Sequence, residues 1–156
     1  LFSFLNKIFK KETHKNDFQA PSVVNKRVFN FESCSVLVVE DNKVNQKVIV
    51  GRLSKLGIHC VISDNGLEAI NCINHQDFDL IFMDCQMPVM DGYQATKEIL
   101  RLYKIEKIKK TPIIAMTANA MKGDREKCLE SGMDDYISKP FSQDELFNVL
   151  DKWLKK

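Results

Sequence analysis

Five polar side chains stand at the ends of short apolar runs: Glu40 and Asp41 after "SVLVV", Asp84 closing "LIFMD", Thr117 in "IIAMTA", and Lys139 after "DYIS". If those runs are strands of one parallel sheet, three carboxylates, a hydroxyl and an ammonium converge at a single edge. Two like charges ~4 Å apart repel by roughly 4 kcal/mol at an effective dielectric near 20, so such a cluster recruits a cation. All-oxygen ligands suit Mg²⁺, or Mn²⁺ in its place, better than zinc. None of the three histidines (His14, His59, His75) falls at a strand end. Beside such an ion Asp84 is placed to act as a nucleophile and accept a phosphoryl group as an acyl phosphate. That transfer asks the protein mainly to align the group and neutralise its oxygens. The metal serves one oxygen, Lys139 a second, and the Thr117 hydroxyl with the Ala118 N–H a third. Singly, each residue has a plainer role: Asp41 and Thr117 as helix caps, Asp84 as the start of a turn, Lys139 as a solvated lysine. Their joint placement, one group after another along the strand ends, favours shared chemistry.

The elements that must hold these residues are legible from Ser35 onward. Strands are expected at 35–39, 59–63, 79–84, 111–118 and 135–138. Between them, helical spacing covers 42–57, 65–76, 93–107 and 121–132, and a closing helix covers 142–156. In the first helix Val44, Val48, Leu53 and Leu56 share a stripe, and Gly57 suits its stop. Pro112 stands at a strand start, where a missing N–H is tolerated. Ser142 and Glu145 form a capping box, and Leu146, Val149, Leu150 and Trp153 make the core stripe of the last helix. Five strand–helix alternations imply an α/β, doubly wound parallel sheet with helices on both faces. Ligands in such sheets bind at the carboxyl ends of the strands, where the strand order reverses.

Composition narrows the functional classes. The chain has 156 residues, 44% hydrophobic and 28% charged, enough for one domain and a tail. Its formal net charge is +2, and residues 1–33 carry six basic side chains against three acidic ones. The remainder is thus close to neutral and offers no basic face for nucleic acid. Five cysteines without a C-x-x-C pair fit reduced thiols in a cytoplasmic setting better than a disulfide or metal framework. No apolar run is long enough to span a bilayer, and no signal peptide is evident. In "LFSFLNKIFKKE" (1–12), Leu1, Phe4, Leu5, Ile8 and Phe9 fall on one helical stripe ringed by lysines, and 13–27 has linker composition. The start on Leu1 suggests a piece of something longer.

Four segments, "VLVVEDNKVNQKV", "IFMDCQMPVMDGYQAT", "IIAMTANAM" and "GDREKCLESGMDDYISKPF", resemble the receiver domain of two-component response regulators. They are most like the C-terminal receivers of hybrid sensor histidine kinases, and the resemblance covers about residues 34–155. It implies a flavodoxin-like (βα)5 fold with strand order 2-1-3-4-5, a receiver over 34–156, and a linker over 1–33 that is part amphipathic helix and part flexible. It implies Asp84 as the phosphoacceptor and Asp41, Glu40, Asp84 and the Gln86 carbonyl as the Mg²⁺ site, with Glu40 acting more through water. Thr117 and Lys139 match the phosphate-sensing pair, Thr117 and Tyr136 the switch, and Lys139-Pro140 a cis bond. Gln86 and Asn119 match positions that tune dephosphorylation. The implied donor is a histidine kinase core or a histidine-containing phosphotransfer domain, with self-phosphorylation and autodephosphorylation and a switched surface on the fourth helix, fifth strand and last helix. No nucleic acid partner and no direct membrane contact by the receiver are expected, while the full-length protein is compatible with a membrane anchor. Other possibilities are a stand-alone receiver, an aspartyl-nucleophile phosphatase (where Gln86 replaces the expected second acid), a flavin-binding domain and a pseudo-receiver used only for interaction.

Overall fold

The structure, a computed structural model, describes residues 30–119 and 121–155. The amphipathic stripe at 1–12 and the linker at 13–27 lie outside the described residues. Alternation along the chain runs β1 (Val36–Val39), α1 (Lys43–Ser54), β2 (Cys60–Ser63), α2 (Gly66–His75), β3 (Leu80–Asp84), α3 (Gly92–Lys104), β4 (Ile113–Thr117), α4 (Lys122–Glu130), β5 (Asp135–Ser138) and α5 (Gln143–Leu154). The five strands are parallel and ordered β2-β1-β3-β4-β5, as expected. From β1 the chain moves outward to β2 and then crosses back to β3. The order therefore reverses at β1 and β3, and the crevice opens beyond their carboxyl ends.

Because successive side chains on a strand point to opposite faces, each central strand feeds two cores. Val36, Val38, Leu80, Phe82, Ile114, Met116 and Ile137 pack with Ile49 and Leu53 of α1 and Leu146 and Leu150 of α5. On the other face, Leu37, Val39, Ile81, Met83, Ile113 and Ala115 pack with Ala69 and Ile73 of α2, Ala95 and Ile99 of α3 and Cys128 of α4. Phe31, upstream of the boundary read at residue 34, belongs to the first core and meets the Phe147 ring edge-on, with centroids 6.0 Å apart. The edge strand β2 is less covered, with Ile62 exposed.

Side chains close the helix starts. Asn42 accepts from the N–H groups of Val44 and Asn45, Asn65 from Glu68, Asp91 from Gln94, and Ser142 and Glu145 form the expected capping box. Helix α4 differs: it opens on Met121 with no side-chain cap. One expectation needs correction. Within α1 the buried residues are Gln46, Ile49 and Leu53, while Val44 and Val48 are 68% and 46% exposed. Gln46 wins the interior place because its amide donates to the Glu40 carbonyl and to Asp64 Oδ1, both at 2.6 Å. The third helix also ends before residue 107, and Glu106 follows it with φ 53°. Among the described residues no helix is long and apolar enough to cross a membrane.

Candidate functional site

The strand register brings the predicted site residues to one edge. Val39 pairs with Met83, Asp84 with Met116, and Thr117 with Ser138, so Glu40, Asp84, Thr117 and Lys139 lie beside one another at the strand ends. Backbone bonds extend the ladders past the strands: Glu40 N–H to the Ser63 carbonyl (3.0 Å), Cys85 N–H to Met116 (3.2 Å) and Lys139 N–H to Thr117 (2.7 Å). The Lys139–Pro140 bond is cis. The cleft, about 320 Å³, is lined among others by Glu40, Asp41, Asp84, Gln86, Thr117, Ala118 and Lys139. Tyr136 is half-buried against the second core, under the Arg125 guanidinium at 5.4 Å.

Glycine makes room for Asp84. A Cβ on Gly92 would lie 2.1 Å from the Asp84 carbonyl oxygen, so only hydrogen fits where α3 starts against the end of β3. The Gly92 N–H also donates to the Cys85 carbonyl at 3.2 Å, closing the loop that carries Gln86 to Asp91.

Carboxylate oxygens of Glu40, Asp41 and Asp84 lie within 4.8 Å of one another. Glu40 is 1% exposed and Asp84 7%, while Asp41 is exposed. Lys139 Nζ stands 2.5 Å from Glu40 Oε2 and 3.3 Å from Asp84 Oδ2. Glu40 Oε1 accepts from the Asn42 N–H (3.0 Å) and the Asn45 side chain (3.4 Å). Two adjacent acids are thereby driven apart. For Glu40, burial works to raise the pKa, but the Lys139 and Asn42 hydrogen bonds and the lysine charge outweigh it and hold it below the usual range. For Asp84, burial prevails over the attraction of Lys139, the Glu40 charge adds to it, and the pKa is pushed up to about 6. Burial would lower that of Lys139, yet the bonds and charges of the two acids raise it.

This donor set fits a hard divalent cation. The ligands are all oxygen, one is solvent-facing as an ion that keeps waters requires, and burial with the Glu40 charge raises the Asp84 pKa, a cost that a bound cation would offset. Neither His59 nor His75 joins the cluster. Neither Asp41 nor Thr117 caps a helix, since Asn42 caps α1 and α4 has no side-chain cap. Asp84 does begin a turn, accepting from the Gln86 N–H at 3.3 Å. The Thr117 hydroxyl donates to the Asn119 carbonyl (3.0 Å) and accepts from its N–H (3.1 Å).

Several residues of the site escape sequence reasoning. Asn45 and Gln46 brace Glu40 from α1, and their signal was the pair of amides interrupting that helix's apolar stripe. Tyr93, Asp124 and Lys127 also line the cleft, with Lys127 Nζ 4.4 Å from the Tyr93 ring centroid. Burial, then Cys85 and Cys128, raises the Tyr93 hydroxyl's pKa, and burial with the Cys128 sulfur pushes the Cys85 thiol up to about 12.

Sheet order and acidic strand ends together define a receiver. The family model described as "Response regulator receiver domain" matches residues 36–151, and the chain belongs to that family. It is 40% identical over 133 residues to hybrid signal transduction histidine kinase G of Dictyostelium discoideum, covering 84% of this chain and 4% of that protein. Among solved structures it resembles the receiver domain of sensor histidine kinase PA1611 from Pseudomonas aeruginosa, which has a magnesium ion coordinated in its active site cleft. Identity there is 45% and TM-score 0.70, over 79% of this chain and 98% of that one. It also resembles the receiver domain found in the co-crystal structure of the Saccharomyces cerevisiae phosphotransfer protein Ypd1 with the response regulator Ssk1. Identity is 35% and TM-score 0.73, over 77% of this chain and 88% of that one. The chain spans between 4% and 14% of the length of its most similar curated relatives. It is a receiver domain of two-component signalling, related to the receivers of hybrid histidine kinases.

Proposed function

We propose that Asp84 accepts a phosphoryl group from a phosphohistidine, on a histidine kinase core or a histidine-containing phosphotransfer domain. The observation that carries this reading is the placement of the Asp84 carboxylate, within 4.8 Å of two further carboxylates and 3.3 Å from an ammonium. Glu40, Asp41, Asp84 and the Gln86 carbonyl would hold a Mg²⁺ ion. When bound, that ion neutralises one phosphoryl oxygen and the excess negative charge of the cleft. An Asp84 oxygen attacks phosphorus in line, the histidine N–P bond breaks, and the imidazole leaves. Lys139 neutralises a second phosphoryl oxygen, reached by a small shift from its bridge between Glu40 and Asp84. The Thr117 hydroxyl exchanges its bonds to Asn119 for a third oxygen, with the Ala118 N–H beside it. Tyr136 follows Thr117, and the surface of α4, β5 and α5 changes.

Exposed Val48 of α1 lines a pocket together with Glu40 and Lys139 and offers the donor protein an apolar footing there. We infer that the receiver belongs to a hybrid histidine kinase acting in the cytoplasm, with the donor on the same or a partner protein, a reading supported by its likeness to hybrid kinase receivers. In the test, the chain is incubated with a radiolabelled phosphohistidine protein and Mg²⁺. Asp84 should gain a base-labile label that is lost in Asp84→Asn and in EDTA. Equal labelling of the Asn variant would overturn the assignment.

A further inference from the structure

Two thiols beneath the cleft are not used by this chemistry. Cys85 follows the acceptor carboxylate, Cys128 lies in α4, and their sulfurs are 3.5 Å apart across 43 positions of chain. Both are free, and they are 4% and 0% exposed. Cys128 is the one buried side chain of α4 among its described residues. The helix opens on Met121 with no side-chain cap, and Cys128 is its one side chain in the second core, where it meets the Cys85 sulfur. The Cys85 backbone, by contrast, is fixed on both sides by its bonds to Met116 and Gly92.

We propose that Cys85 and Cys128 are an oxidisable pair whose disulfide pins α4 to the carboxyl end of β3. The sulfurs need to close by about 1.5 Å to reach bonding distance, and α4 is the partner free to yield. The oxidant is a hydroperoxide. One sulfur attacks it, the O–O bond breaks, one water or alcohol leaves, and a sulfenic acid forms. The second sulfur attacks the first, S–S forms as S–O breaks, and its proton leaves with the hydroxide as water. Two thiols lose two electrons in all, and the peroxide gains them. Transient opening of α4 admits the oxidant to these buried sulfurs. On the phosphoacceptor reading the oxidised form holds the switching surface in one arrangement, a consequence that rests on that reading; the bond itself does not.

The test uses the full chain and hydrogen peroxide, with no phosphodonor, so its failure is separable from failure of the phosphoacceptor assignment. Non-reducing digestion should yield a Cys85–Cys128 linked peptide, with a loss of two hydrogens in intact mass. Amide exchange over 121–131 should slow on the order of tenfold and recover with dithiothreitol. Cys128→Ala should show neither change, and reductant reversal in the wild-type chain serves as control should that variant fold poorly. Peroxide that oxidises Cys34, Cys60 or Cys72 while leaving this pair as thiols overturns the proposal. A linked peptide with unchanged exchange in α4 overturns the pinning.

Discussion

Removing the charge of Asp84 should stabilise the metal-free domain. Its folded pKa of about 6 stands above the ordinary 3.8, so the ionised carboxylate costs the fold free energy. Well below the ordinary 3.8 the group is protonated in folded and unfolded chains alike, and the cost vanishes. It grows between pH 4 and 6 and is constant above. About two pKa units correspond to roughly 3 kcal/mol, an upper limit because Asn must still place its amide in the cleft. In EDTA, Asp84→Asn should therefore exceed the wild type by about 1–3 kcal/mol at pH 8 and by no more than about 0.5 kcal/mol near pH 4. For a domain of this size that is a Tm difference of roughly 3–15 °C at pH 8. Urea and thermal melts of both proteins across pH 4–8 measure it. Millimolar Mg²⁺ should narrow the gap by stabilising only the protein that binds it. An Asn variant no more stable at pH 8, or a gap that ignores pH, would refute the account of a frustrated acid.

Other outcomes follow from the same contacts. Glu40→Gln removes the charge that helps raise Asp84 and the 2.5 Å partner of Lys139. The carbon-13 carboxyl titration of Asp84 should shift to lower pH, and urea melts at pH 7 should show a loss of about 1–3 kcal/mol that closes as pH falls below the ordinary Glu value, because Glu40's own pKa is lowered. Gly92→Ala drives a methyl into the Asp84 carbonyl and should cost about 2 kcal/mol or more in urea melts, while slowing phosphoryl labelling more than stability alone explains. Gln46→Leu keeps volume but strips donors from the Glu40 carbonyl and Asp64; denaturation should register about 1–3 kcal/mol, with Asp84 still labelled. Phe82→Ala, at a fully buried position of β3, should lose about 3–5 kcal/mol.

Much of the frame was legible because each central strand is an uninterrupted apolar run that stops on a polar residue. Those stops named Glu40, Asp84, Thr117 and Lys139 before any geometry was known. Apolar periodicity misled at α1, where it put Val44 and Val48 inside. There the strand-end carbonyl of Glu40 and the edge acid Asp64 demand a buried donor, and Gln46 supplies it. Periodicity reads transfer from water and is blind to such a demand. The end of α3 was missed for a related reason: Ile105 continues the helical pattern, yet it is exposed and the backbone turns to positive φ at Glu106. Contacts such as Cys85 with Cys128 join residues 43 apart, and spacing alone carries no sign of them.

The bridge from Lys139 to Glu40 spans 99 positions of chain, and Lys139 arrives only with the edge strand β5. A nascent polypeptide that has left the ribosome as far as β4 carries all three acids and no balancing ammonium. Only when β5 docks beside β4 does an ammonium enter the ring of carboxylates, so the edge strand completes the charge balance of the cleft.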